Sequence, residues 1–247
     1  MFKTHTIAMW SGPRNLSTAM MRAWENRRDT VVWDEPLYAH YLAQTNRPDP
    51  MAEEIMQSGL IDWHATIKKL CTPPAQGLQY QKHITSHVLP SHSLDWLTEV
   101  PGMKHVFLIR EPERVVASFN RLLTATDEEE LIDHIGFHQQ QRIFEAVCNK
   151  THRTPTVIDS TRFLNSPKEQ LQTLCKTLSI PFDQAMLSWP PGLRDSDGVW
   201  ASHWYSTVSK STGFAQPPNT TPTLTDSQQR VADRCKQAYQ SLLDHAL

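Results

Sequence analysis

The sequence predicts an α/β fold: a three-layer sandwich with a mostly parallel central sheet flanked by helices. Short β-branched and apolar runs recur at Thr6–Trp10, Thr30–Trp33, Leu78–Lys82, His105–Ile109 and Thr156–Asp159. Helix-spaced stretches separate them, so strand–helix–strand units follow one another and favour parallel pairing. The length of 247 residues suits one domain, 1–247, and no internal repeat interrupts it.

The first run, Thr6–Trp10, ends at Ser11-Gly12-Pro13, and Ser17 opens a helical pattern through Trp24. The second run exits through Asp34-Glu35-Pro36, where proline marks the turn. Residues 37–76 read as an amphipathic helical insertion, broken at Arg47-Pro48-Asp49-Pro50 and at Pro73-Pro74. His105–Ile109 is the clearest strand, and Pro112 sits in the first turn of the helix after it, where no backbone donor is needed. A long polar helix is expected over 127–149, and Ser166-Pro167 opens another after the Thr156–Asp159 strand. A loop-rich stretch over 186–225 is expected to cover the molecule's carboxyl side before a final helix near 226–245.

Composition narrows the function. The chain is 39% hydrophobic and 20% charged, with a formal net charge of −2. Without a basic block it does not read as a nucleic-acid binder, and no apolar run is long enough to span a bilayer. Cys71, Cys148, Cys175 and Cys235 are scattered without zinc-ligand spacing and read as free thiols. The start, Met1-Phe2-Lys3-Thr4-His5, shows no apolar signal core, so a cytoplasmic location is expected.

In parallel α/β sheets, ligands bind beyond the carboxyl ends of the strands. That rule gathers Ser11–Thr18, Asp34, Glu35, Lys82, His83, Arg110, Asp159 and Ser160 on one rim. The loop Gly12-Pro13-Arg14-Asn15-Leu16-Ser17-Thr18 joins the first strand to the first helix. A helix N-terminus there offers N–H groups to an anion, Arg14 adds a guanidinium, and Ser17 and Thr18 add hydroxyls. The Walker pattern GxxxxGK[ST] is absent: the loop has no lysine and no second glycine. Arg110 ends the clearest strand, and Ser118 lies one helical turn beyond Arg114, so an arginine and a hydroxyl could trap a second phosphate.

The pattern resembles the family of sulfotransferases that use 3′-phosphoadenosine 5′-phosphosulfate (PAPS). Pro13-Arg14-Asn15-Leu16-Ser17-Thr18 is similar to that family's PRxGTT-like loop, with Leu16 where a glycine is usual. Arg110, Pro112 and Ser118 match its R-x-P-x5-S motif, and Val157 to Asp183 resembles its strand–loop–helix segment with Ile180-Pro181-Phe182-Asp183 at the closing turn. Asp34-Glu35-Pro36 resembles in particular bacterial sulfotransferase-like proteins and the related domain of plant branched-chain aminotransferase-like proteins. The resemblance implies a P-loop NTPase-like fold and a PAPS-dependent sulfotransferase acting on a hydroxyl, with no metal; the near-neutral charge and the helical insertion at 37–76 favour a small polar acceptor. It implies that Arg14 binds the 5′-phosphosulfate and that Arg110 and Ser118 bind the 3′-phosphate. Glu35 matches members that use a glutamate as general base; His83 and His87 are the alternatives.

Lys82 is expected to stabilise charge on the leaving oxygen, and Lys210, in Lys210-Ser211-Thr212, to add a 3′-phosphate contact. Trp200–Tyr205 and Lys210–Phe214 stand where the family closes a loop over the nucleotide. Two other functions fit less of the pattern: a nucleoside or small-molecule kinase on the same fold, and a non-catalytic nucleotide-binding protein.

Overall fold

The computed structural model describes residues 4–119, 127–216 and 220–247. Five strands form one sheet in the order β2-β3-β1-β4-β5. They are β1 (His5–Ser11), β2 (Thr30–Asp34), β3 (Leu78–Ile84), β4 (Lys104–Ile109) and β5 (Thr156–Asp159). Every pairing is parallel: β1 lies between β3 and β4, with Met9 opposite Lys82 on one side and Val106 on the other. The chain first builds outward from β1 to β2, returns to insert β3, then crosses to β4 and β5. The direction of winding therefore switches at β1, the place where such sheets open a ligand crevice.

Period-2 alternation sorts the side chains into two cores. On one face, Ile7, Met9, Tyr80, Val106, Leu108 and Ile158 pack under α1 (Ser17–Glu25), α8 (Ser160–Asn165) and α9 (Pro167–Thr177). On the other, Ala8, Trp10, Phe107, Ile109 and Val157 meet α4 (Trp63–Leu70), α7 (Phe137–Thr151) and the end of α11 (Asp226–Leu243). A third cluster joins α5 (Pro112–Phe119), α6 (Glu128–Ile135) and α11. Strands buried on both faces are what the near-continuous apolar runs of β1 and β4 require.

The stretch 37–76 holds three helices, α2 (Tyr38–Thr45), α3 (Ala52–Ser58) and α4: the expected break at 47–50 separates α2 from α3, Pro73-Pro74 lies beyond the end of α4, and an unexpected break at Gly59, the C-cap of α3, separates α3 from α4. The polar helix expected over 127–149 is two helices. Gly136 takes a left-handed φ of 68° between α6 and α7, and its bare Cα lies against Ser86 and Thr85, where a Cβ would approach Ser86 N to 3.1 Å. The break lets α6 turn onto the loop after β1: a Cβ on Gly12 would come within 2.6 Å of the Ile135 carbonyl oxygen. Beyond α9 the chain has little regular structure apart from α10 (Ala201–Trp204) until α11, which opens with a capping box of Thr225 and Gln228. Residues 217–219 of the expected cover lie outside the described residues.

One expected site residue belongs to the core instead. Lys82 and His83 are neighbours on β3, so their side chains leave opposite faces of the sheet. His83 stacks on Trp10 with ring centroids 4.3 Å apart, and its Nε2 lies 3.1 Å from Gln81 Oε1. Trp10 Nε1 in turn donates to His105 Nδ1 at 3.1 Å, which leaves His105 Nε2–H to donate to the Leu97 carbonyl. Burial pushes the pKa of His83 down to about 3 and that of His105 to about 4, from an ordinary 6.5. Both rings are thus neutral in the folded chain and take up protons only on unfolding. Stability should be level above about pH 6.5 and decline as the pH falls below it, by on the order of 3 kcal/mol between pH 7 and pH 5. Urea denaturation at the two pH values measures this; coincident midpoints would contradict it.

Candidate active site

The site begins with backbone shape. Arg14 and Leu16 both adopt left-handed φ, 61° and 70°. Leucine resists that conformation by about 1–2 kcal/mol relative to glycine, yet Leu16 holds it at the N-cap of α1, packed against the core beneath. The α1 start carries no capping side chain, so its first-turn N–H groups remain for a ligand beside Ser17, Thr18 and Ala19, all of which line a cavity of about 370 Å³. Asn15 is buried within the loop, its Nδ2 donating to the Leu108 carbonyl at 3.1 Å, and Ser160 Oγ donates to the Ile109 and Asn15 carbonyls. These bonds fasten the loop to β4 and β5.

Arg14 and Arg110 line the same cavity. Arg110 Nη1 donates to the Arg14 carbonyl at 2.8 Å, and Arg14 Nε donates to Ser118 Oγ at 3.1 Å. The two motifs, 96 residues apart, are therefore joined along one wall. Pro13, Asn15, Leu16, Ser17, Thr18 and Ser118 also line it, whereas Gly12 acts beneath the loop through its close approach to Ile135. Two expected rim residues are structural: Asp159 caps α8 by accepting from Thr161 N and Arg162 N, and Ser160 ties the loop down. Lys210 is exposed and does not line the cavity, although its neighbours Val208 and Ser211 do.

Opposite the arginines, Lys82 is buried with all three ammonium protons engaged. They go to Asp34 Oδ1 at 2.8 Å, Glu35 Oε1 at 2.5 Å and Tyr205 Oη at 2.7 Å. Burial alone would lower the lysine pKa, but Asp34 and Glu35 outweigh it and raise the pKa well above its ordinary value. Asp34 is saturated: it also accepts from the Tyr205 hydroxyl and from Gly198 N, and burial raises its pKa despite Lys82. Adjacent residues can both reach one ammonium because Glu35 leaves the strand with a left-handed φ of 40°, which breaks the alternation. Of the two carboxylates only Glu35 lines the cavity, and its Oε2 lies 4.0 Å from His87 Nδ1.

Tyr205 is the site residue that the sequence did not single out by role. It arrives on a segment with no periodic pattern, held by a different ion pair: Asp197 accepts both Nη1 and Nη2 of the buried Arg22 at 2.6 Å. Trp200 Nε1 adds a 3.3 Å contact to the Tyr205 oxygen. Tyr38, Tyr41, Trp204 and Phe119 complete the cavity's aromatic walls, with Asp49 and His134 at its rim. Among the described residues, no group of three or more His, Cys, Asp or Glu is placed to hold a metal ion.

The loop after β1 and this cavity lie at the carboxyl edge of an all-parallel sheet in an α/β protein. The chain belongs to the sulfotransferase domain family, whose sequence profile matches residues 5–240. It is 31% identical over 240 residues to branched-chain-amino-acid aminotransferase-like protein 2 of Arabidopsis thaliana, covering 97% of this chain and 41% of that protein. It is equally 31% identical to protein 1 of the same name and plant, over 246 residues, 99% of this chain and 43% of that protein. The chain thus spans less than half the length of these relatives. Among solved structures, it resembles a sulfotransferase from Alicyclobacillus acidocaldarius, with a TM-score of 0.58 and 11% identity over 98% of this chain and 96% of that one. It also resembles the sulfotransferase domain from the curacin biosynthetic pathway, with a TM-score of 0.53 and 15% identity over 96% and 99% of the two chains. At such identities the likeness is one of fold.

The Tyr205 hydroxyl is the testable part of the buried network. Tyr205→Phe keeps the ring but leaves Lys82 one acceptor short and Asp34 one donor short. It should lower stability by about 1–3 kcal/mol in chemical denaturation; an unchanged midpoint would show that the network does not depend on this oxygen.

Proposed function

We propose that the chain transfers a sulfuryl group from PAPS to a hydroxyl of a small acceptor. The carrying observation is that Arg14 and Arg110, from two separate motifs, line one cavity together with Glu35 and Lys82. The residues fit an adenosine bisphosphate: uncapped N–H groups at α1 and two guanidinium groups offer anion contacts from adjoining elements. Arg14 with the α1 start would hold the 5′-phosphosulfate, and Arg110 with Ser118 the 3′-phosphate. PAPS supplies an activated sulfur and a leaving group stable as an anion.

Sulfuryl transfer needs the attacking and leaving oxygens in line and the developing charge balanced, much as phosphoryl transfer does. Glu35 is the group to take the acceptor's proton, because it faces the cavity while Asp34 is fully hydrogen-bonded. Lys82 fixes Glu35 in place, and once Glu35 is neutralised its hold on one Lys82 N–H weakens, freeing that donor for the leaving oxygen. A kinase of the Walker kind would call on a loop lysine; here the loop carries Arg14 instead.

Adenosine 3′,5′-bisphosphate at about a hundredfold over its Kd should raise Tm by about 5–10 °C, and no shift at millimolar ligand would defeat the donor assignment. Glu35→Gln should keep that shift while lowering sulfate transfer by about 10²–10⁴-fold across a panel of alcohols and phenols. A variant as active as the parent would remove Glu35 from the reaction.

A further inference from the structure

Among the described residues, His87 lines the cavity and carries a buried ring nitrogen without a hydrogen-bond partner. His87 sits on the turn after β3, buried between two tyrosines: its ring is 4.4 Å from Tyr38 at an interplanar angle of 9°, and 4.9 Å from Tyr41 at 28°. The stack fixes the ring's plane, and Nδ1 lies buried without a hydrogen-bond partner. Such an atom costs about 1–3 kcal/mol unless something satisfies it. The group nearest in function is Glu35 Oε2, at 4.0 Å. That gap is too wide for a direct hydrogen bond, and one oxygen about 2.7–2.9 Å from both atoms spans it with an angle of roughly 90° at that oxygen.

Resting on the sulfotransferase reading above, we propose that His87 is a catalytic residue which donates its Nδ1–H to the acceptor's hydroxyl oxygen while Glu35 Oε2 accepts that hydroxyl's proton. The bracket selects a group that accepts one hydrogen bond and donates one, which is a hydroxyl. The acceptor's body then lies along the aromatic wall of Tyr38, Tyr41, Phe119 and Trp204, so the fitting acceptors are alcohols or phenols with an apolar flank rather than highly polar metabolites. In the transfer, the acceptor O–H proton passes to Glu35 and the oxygen forms its bond to sulfur. The bond between sulfur and the 5′-phosphate oxygen breaks, and its electron pair stays on the bisphosphate. His87 keeps its proton throughout. Its chemistry suits that role, since burial, with Lys82 and His134 nearby, outweighs Asp49 and lowers its pKa to about 3. An imidazole so placed is a poor proton acceptor and serves as a neutral donor.

The test begins with the protein alone. Imidazole nitrogen–proton NMR spectra at pH 7, with His87 assigned through His87→Phe, should show a neutral ring protonated at Nδ1. A proton on Nε2 alone, or an imidazolium, overturns the proposal whether or not any acceptor turns over. Transfer from PAPS to phenol and to cyclohexanol provides the functional arm. His87→Phe keeps the stack and removes the donor, and should lose about a hundredfold in kcat/KM. His87→Asn places an amide N–H near the Nδ1 position and should recover most of that loss, whereas His87→Gln, which mimics Nε2, should not. All three should bind adenosine 3′,5′-bisphosphate within about twofold of the parent, as expected for changes remote from the phosphate contacts. His87→Phe with parental transfer overturns the proposal. A parent chain that fails to bind the bisphosphate overturns the donor assignment instead and leaves the NMR result to decide on His87.

Discussion

Lys82 carries a full positive charge at the end of an interior strand, where water cannot solvate it. An ammonium in that position is tolerated only if each of its protons meets an acceptor and its charge meets an opposite charge. Three oxygens from two parts of the chain meet that demand: Asp34 at the end of β2 with Glu35 just beyond it, and Tyr205 from the segment after α10. The edge strand β2, its neighbour β3 and the carboxyl-terminal cover are thereby drawn to one point. Glu35 and Lys82 of this cluster line the same cavity as Arg14 and Arg110.

Local strain follows from the same constraint. Glu35 adopts an unfavourable left-handed backbone because only then does its carboxylate share Lys82 with Asp34. Arg14 and Leu16 hold left-handed turns on the opposite wall, where the chain must bend to leave α1's first N–H groups open. Strain at three non-glycine residues, all lining one cavity, is compensated by the rigid parallel sheet beneath and by the Arg22–Asp197 pair that ties down the cover.

The five strands were legible because buried parallel strands read as apolar, β-branched runs, and Pro112 and Ser166-Pro167 marked helix starts through proline's fixed φ. The winding rule was enough to place Arg14, Glu35, Lys82 and Arg110 on a common rim. Other features depended on contacts that no local pattern encodes. Gly136 splits a helix because Ser86, fifty residues earlier, packs against it, and Tyr205 matters because a lysine far upstream lacks a third acceptor. His83 was a different kind of miss. Alternation along β3 already separates it from Lys82, so a strict reading of the period would have sent it to the Trp10 side. Lys210, placed near the site by sequence position, points away because the short turn around it brings Val208 and Ser211 to the cavity instead.

The account depends on two arginines from distant motifs serving one ligand. Calorimetric titration of adenosine 3′,5′-bisphosphate into the parent chain, Arg14→Ala and Arg110→Ala tests this most directly. Each variant should bind at least about tenfold more weakly, the loss expected for one charge-assisted contact, while remaining folded by circular dichroism. A folded variant of either arginine with parental affinity would contradict the shared site.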